Sequence, residues 1–313
     1  MQKFAFSHNN RPATKEGVID IRHIFSIVLS CIIILLFTSI TATATIYYVD
    51  ATKGNDAHDG VTTHTAWKTI TKVKHISFKP GDVIRFKRGE VFDDCTLFVY
   101  SSGTQEHPIL FSDYGNTSDP LPLITYPINF CIWMRDIQCV TFQNLEVAGG
   151  QEAVIELKQS AIGKTHSIII RDCIVRGANI GILVDTAEGG VIEGCEIYNC
   201  GIGFSTHDPG FTVRNCKIHD NKCGISVGTH DTMIERNEIY NNTVGIQYGW
   251  GYGKCDTTFR YNLIRDNANN GFETFLGAVE AGEIYYNIFV NNGGDGLFLK
   301  NSISGIKIYN NLN

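Results

Sequence analysis

The chain has 313 residues, 43% apolar and 19% charged, with 31 Gly and only 7 Pro. This composition excludes a disordered chain and a collagen-like fibre. The formal net charge of −6 excludes a dedicated nucleic-acid binder, which would carry a basic footprint.

Residues 24–40 (IFSIVLSCIIILLFTSI) are almost wholly apolar, with Arg11, Lys15 and Arg22 before them and Ala42-Thr43-Ala44 after. Basic flank, apolar run and small-x-small site read as a secretory signal over residues 1–44, which predicts a secreted or cell-surface protein. The run is short for a full span, so a membrane partner is expected only if the signal stays uncleaved. Val28-Leu29-Ser30-Cys31 does not read as a lipoprotein box, because the apolar run continues past Cys31. Removing Lys3, Arg11, Lys15 and Arg22 together with Glu16 and Asp20 moves the net charge from −6 to −8. Such a surface does not attract polyanions by itself, so an acidic substrate would need a local cationic patch or a metal.

Residues 45–313 read as one domain, opened by an N-terminal cap over residues 45–82. Ile46-Tyr47-Tyr48-Val49 is a predicted strand, followed by a polar loop through Asp59-Gly60. Asp56 and Asp59 read as a capped turn rather than a cation loop. Residues 67–73 form a predicted helix with Trp67, Ile70 and Val73 on one face, suited to lie as a lid over an open apolar end. Pro80-Gly81 turns into Val83-Ile84-Arg85-Phe86, the expected first rung.

The second half repeats. Apolar-x-x-Cys/Asn-x-apolar recurs with Cys173, Cys195, Cys216, Asn237, Asn262, Asn287 and Asn311 in the key position, at spacings of 22, 21, 21, 25, 25 and 24. Leu145 occupies the same column one unit earlier. A Gly-apolar marker follows each copy, at Gly181, Gly201, Gly224, Gly245, Gly271 and Gly296. Units this short cannot bury a face alone and must stack into a solenoid with rungs about 4.8 Å apart. An Asn in a stacked turn can bond to its neighbour along the stack and to turn backbone. Cys173, Cys195 and Cys216 extend that column as small inward residues, and Cys200 and Cys223 read the same way in adjacent rungs. Stacked Cβ atoms exceed the roughly 3.5–4.5 Å of a disulfide, so free thiols are predicted despite an exported compartment. The last copy stops in mid-rung, as in a fragment or a chain capped by a partner.

These features resemble secreted right-handed parallel β-helix proteins of the pectate-lyase-like superfamily. The resemblance rests on YYVDATKGNDAHDG, AWKTITKV, PGDVIRFKRGE, SSGTQEHPI and the repeats, and covers roughly residues 46–313. It implies an all-β parallel β-helix and a polysaccharide ligand lying in a groove along the sheet of Gly-apolar strands. It does not imply one chemistry, because the superfamily includes lyases, hydrolases, epimerases and non-catalytic adhesins.

With Ile182 and its equivalents inward, the expected outward file is Leu183, Gly203, Ser226, Gln247, Glu273 and Phe298, and the next is Asp185, Ser205, Gly228, Gly249, Phe275 and Lys300. Thr206-His207-Asp208 and Thr229-His230-Asp231 are repeated turns, with Glu188 one rung before. On a stack, Glu188, Asp208 and Asp231 would line up and repel unless a hard cation sat among them. Ca²⁺ is the expected ion; the competing reading is solvated turns. Uronate β-elimination also needs a base, for which His207, His230 or a desolvated Lys300 are candidates. In calcium-dependent relatives that base is a Lys or Arg beside the metal, and none stands beside Asp208 and Asp231. Gln247, Trp250, Tyr252 and Glu273 are the candidate substrate contacts. A metal-assisted polyuronate lyase ranks above a glycoside hydrolase, and the alternative is a non-catalytic glycan-binding or surface module.

Overall fold

The computed structural model describes residues 43–249, 256–274, 281–300 and 304–313. The expected signal, apart from Thr43 and Ala44, lies outside the described residues, as do Trp250, Tyr252 and Phe275. Among the described residues, 29 strands assort into three parallel sheets of 11, 9 and 9. No helix among them is long and apolar enough to cross a membrane.

Each coil adds one strand to each sheet in turn, as Glu188–Glu193, Glu196–Tyr198 and Ile202–Thr206 do. Period-2 alternation sends one side chain in two to the interior, and the parallel register stacks equivalents. Ile170, Ile192, Val213, Ile234, Phe259 and Ile284 form one inward file of the first sheet. Val175, Ile197, Ile218, Ile239, Ile264 and Phe289 form that of the second. All of these side chains are buried. The expected all-β parallel β-helix is what forms.

Two corners of the coil are held by side-chain ladders. Between the first and second sheets, the Nδ2 of Asn237 donates to Asn262 Oδ1 (3.1 Å), Asn262 to Asn287 (2.9 Å) and Asn287 to Asn311 (3.0 Å). Each of these Oδ1 atoms also accepts the backbone N–H of the Asn one rung before. Cys216, Cys195 and Cys173 continue the column. The Cys216 thiol donates toward Ile192 O as Asn237 Nδ2 does toward Val213 O, and its sulfur faces the backbone N–H of Cys195. Burial pushes the Cys173 thiol well up, and the eight described cysteines are free thiols, as predicted for Cys173, Cys195, Cys216, Cys200 and Cys223.

The second ladder was not read from the sequence. It joins Cys200, Asn221, Asn242, Asn267 and Asn292 between the second and third sheets. This ladder corrects the expected Gly column. Cys200 stands level with Asn221, and the third-sheet register pairs Ile182 with Phe204 and Phe204 with Ile225. The marker in that rung is therefore Gly203, not Gly201, and Ser205 replaces Gly203 in the outward file. Cys223 pairs with Ile202 and Val244, outside the ladder that holds Cys200.

The first strand pair also forms earlier than expected, because Ile46–Val49 already pairs with Val83–Phe86. The helix is shorter than predicted. It is α1 (Ile70–Lys74), capped by Thr69, with Trp67 bridged to Val49 just before it. Trp67, Ile70 and Val73 are nonetheless all buried. Asp94 accepts the N–H groups of Ile70 and Thr71, at 2.9 and 2.8 Å. Burial raises its pKa, but those bonds and the Thr71 hydroxyl outweigh it and leave the carboxyl below its usual value. Asp94→Ala is expected to cost about 1–2 kcal/mol, measured by denaturant unfolding near neutral pH. A lowered carboxyl pKa stabilises above the unfolded value and loses its effect as pH falls through the folded one. The difference between variant and parent should therefore shrink on acidification.

Candidate functional site

The outer face of the third sheet carries a row of aromatic, polar and charged side chains. Its register sets Phe98, Trp133, Glu156, Leu183, Ser205, Ser226, Gln247, Glu273 and Phe298 in one outward file. Arg135, Lys158 and Asp185 form a second file two residues along. At the N-terminal end of this face lies a recess of about 340 Å³ whose lining includes Phe98, Trp133, Arg135, Glu156 and Lys158.

Glu156 is the unusual group there. It is only 5% exposed although it points away from the core. Burial raises its pKa, and this outweighs the hydrogen bond from the Trp133 indole N–H and the attraction of Lys158. Lys158 Nζ donates to Asp185 Oδ2 at 2.6 Å and lies 3.9 Å from Glu156 Oε1. Those two distances together hold the nearest oxygens of Glu156 and Asp185 within about 6.5 Å of each other. Arg135 lies over the Trp133 ring, 5.8 Å from its centroid, and Phe98 meets that ring edge-on. A buried carboxyl, two cations and two aromatic rings thus share one recess, with the Asp185 carboxylate bonded to Lys158 beside it.

The residues singled out in the sequence lie elsewhere on the coil or further along it. Thr206 pairs with Val227, so His207 stands level with Gly228 and Asp208 with Thr229. The two Thr-His-Asp turns share letters but are out of step by two residues. His207 is one residue past the Val184–Thr206 pair and so extends the Arg135, Lys158 and Asp185 file. Asp208 holds the turn by accepting the Thr186 N–H, and burial raises its carboxyl pKa. Glu188 is exposed, level with His166, and faces Lys164 Nζ at 3.6 Å.

Among the described residues one trio, His230, Asp231 and Asp256, places metal-ligating atoms within 4.8 Å of one another. All three are exposed, and the trio includes neither Glu188 nor Asp208, so the expected file of three carboxylates is not formed. The register slip is the reason. His230 contacts Asp231 at 3.1 Å, and the Asp231 N–H donates to Asp256 at 2.8 Å. Asp256 was missed, although it follows Asp231 by 25 residues, the local repeat length.

Gln247 donates to Glu273 (2.9 Å), which also accepts from Asn270. The pair continues the Glu156 file several rungs along. Lys300 is tied to Thr274 Oγ1 through both its backbone N–H and its carbonyl, at 2.6 Å. Glu156, Lys158, Trp133 and Arg135 were missed because the Asn/Cys letters that mark the repeat begin only after these rungs. Their signal is alternation: Ile132-Trp133-Met134-Arg135 and Ile155-Glu156-Leu157-Lys158 each set a polar or aromatic group between inward apolar ones. A larger cleft of about 440 Å³ on the outside of the first sheet is lined by Thr141, Ile169, Val191, Gly190 and similar residues, with no charged group. Its titratable group is the Cys139 thiol, whose pKa burial raises.

Comparison with known proteins agrees with this architecture. A lacto-N-biosidase of Bifidobacterium longum subsp. longum is 25% identical over a 142-residue alignment that takes in 37% of this chain and 9% of that protein. The chain therefore spans under a tenth of that relative. Among solved structures, a GH136 lacto-N-biosidase from Eubacterium ramulus superposes with a TM-score of 0.56 at 16% identity, covering 85% of this chain and 68% of that one. A pectate lyase superposes with a TM-score of 0.61 at 14% identity, covering 86% and 78%. An alginate lyase from Paenibacillus sp. superposes with a TM-score of 0.52 at 16% identity, covering 75% and 97%. These likenesses are likenesses of fold. The family profile described as right handed beta helix region matches residues 154–313, just over half of the sequence, and the chain belongs to that family.

Proposed function

We propose that this chain is an exported, carbohydrate-active protein that binds a glycan along the outer face of its third sheet and cleaves it by acid–base chemistry in the Glu156 recess. One observation carries the reading: a desolvated carboxyl on an outward-facing position, with a second carboxylate within about 6.5 Å. Glycoside cleavage uses such a pair, one protonated and one ionised. Glu156 gives its proton to the leaving oxygen while water bonds to the anomeric carbon and passes its proton to the ionised Asp185, with Trp133 and Phe98 as faces for sugar rings. The names of two similar proteins, both lacto-N-biosidases, support a glycosidase.

The second reading is the β-elimination expected from the sequence, with His207 as the base. It is favoured by Arg135 and Lys158, which could neutralise a uronate carboxylate, and by the lyase names of two fold neighbours. Incubation with a panel of neutral glycans, polygalacturonate and alginate separates the two. Hydrolysis releases reducing ends without the unsaturated-uronate absorbance band, whereas elimination yields both.

The calcium ion expected from the sequence is best matched by Asp231 and Asp256, with His230 beside them. Two carboxylates and an imidazole fall well short of the 6–8 oxygen ligands Ca²⁺ takes, so this trio alone does not make a calcium site.

If Glu156 must be protonated, the rate falls as pH rises through its raised pKa. The Trp133 N–H stabilises the ionised form, so Trp133→Phe raises that pKa further. The alkaline limb of the pH–rate profile is expected to move to higher pH, and an unmoved or lowered limb counts against Glu156 as the acid.

A further inference from the structure

We infer that Lys158 supplies, as a fixed part of the chain, the positive charge that a divalent cation would bring to the groove, so that glycan capture there does not use Ca²⁺. This rests on the groove being the glycan site proposed above.

The place a bridging ion would take is already filled. A Ca²⁺ ion bridging Glu156 and Asp185 would sit between their oxygens, with ligands at about 2.3–2.6 Å. The Lys158 ammonium already stands there, 2.6 Å from Asp185 and 3.9 Å from Glu156. An ion could enter only by displacing a partner hydrogen-bonded to Asp185, or by lying against a like charge. The hydrogen bond to Asp185 also holds the Lys158 pKa above its usual value, so the charge is present at neutral pH. Arg135 stands level with Lys158 on the rung before and extends the cationic row. Its nearest carboxylate, that of Asp136, lies at 3.7 Å and is also bonded to the Ser160 N–H. The row therefore offers a glycan a fixed cationic contact at Arg135, with Lys158 placed between the two carboxylates. The His230, Asp231 and Asp256 trio does not use these residues.

The test is a CaCl₂ titration of the full chain up to about 10 mM, beyond the range of extracellular calcium modules. It is followed by the emission of Trp133, whose indole bonds to Glu156. Asp256→Asn is carried in every sample to silence the distant trio, and Trp133→Phe provides the blank. The parent is expected to show no calcium response. Lys158→Met, which bares both carboxylates, is expected to gain a saturable response and a calcium-dependent rise in Tm. A saturable response in the parent overturns the inference, as does silence in both proteins, since Lys158 would then not be what excludes the ion. Glycan binding by the same samples is measured with and without EDTA. Binding lost in EDTA overturns the role of Lys158 while leaving the groove reading intact. Absence of any glycan response beside the expected calcium results overturns the groove reading alone.

Discussion

Glu156→Gln is expected to lower glycan cleavage by about 10²–10⁴-fold, the range for removing a general acid, without unfolding the chain. Gln keeps the shape of the side chain and an oxygen to accept the Trp133 N–H, but it has no proton to give. The expected effect on stability has a definite sign. A carboxyl whose pKa is raised by folding binds more protons in the native state, so stability falls as pH rises from the ordinary glutamate value toward the raised one. Glu156→Gln removes that penalty. The variant should therefore match or exceed the parent in Tm at neutral pH while losing activity. A loss of activity accompanied by a large drop in Tm would make Glu156 a structural residue. Reducing-end release and thermal unfolding on the same preparation decide between them.

The second large effect concerns the ladder. Asn262 is 1% exposed. Its Oδ1 accepts the Asn237 N–H and Nδ2–H, and its Nδ2 donates to Ile234 O and Asn287 Oδ1. Asn262→Leu keeps the branching of the side chain with bulkier ends, and leaves the Asn237 N–H and the Ile234 carbonyl buried without these partners. Each of the two stranded groups costs about 1–3 kcal/mol, so the substitution is expected to cost about 2–6 kcal/mol in urea unfolding. Hydrogen-exchange protection should fall first in the rungs around residues 234–262. Cys216→Asn serves as the reciprocal variant. Its Oδ1 can accept the Cys195 N–H that now faces sulfur, and its Nδ2 can reach Ile192 O and Asn237 Oδ1. That change is expected to stabilise by about 1 kcal/mol. If Asn262→Leu proves neutral, the ladder does not hold the corner.

What could be read from the sequence followed from how tightly physics constrains each position. The ladder at Cys173 to Asn311 was legible because an Asn in a buried corner gives each rung both a donor and an acceptor, and the small thiols of Cys173, Cys195 and Cys216 keep the same spacing. The companion ladder from Cys200 to Asn292 obeys the same rule. It was hidden because Gly201 and Gly203 both looked like markers, and only hydrogen-bond register separates them. The outward files were partly legible: Gln247 and Glu273 pair as neighbours, in keeping with their shared column. The carboxylate file was not, because the turns between the third and first sheets differ in length. Identical letters at Thr206-His207-Asp208 and Thr229-His230-Asp231 therefore do not occupy identical places. Glu156 could have been found by alternation alone, but its burial depends on Trp133 and Lys158 from two rungs. No single stretch of sequence displays that environment.

The most direct test is a crystal structure of Glu156→Gln soaked with an oligosaccharide that the parent protein cleaves. Sugar density is expected across the third-sheet face, with a ring against Trp133 and a glycosidic oxygen within hydrogen-bond reach of residue 156. Ordered sugar at the His230, Asp231 and Asp256 corner or in the first-sheet cleft, with the Trp133 recess holding only solvent, would contradict it.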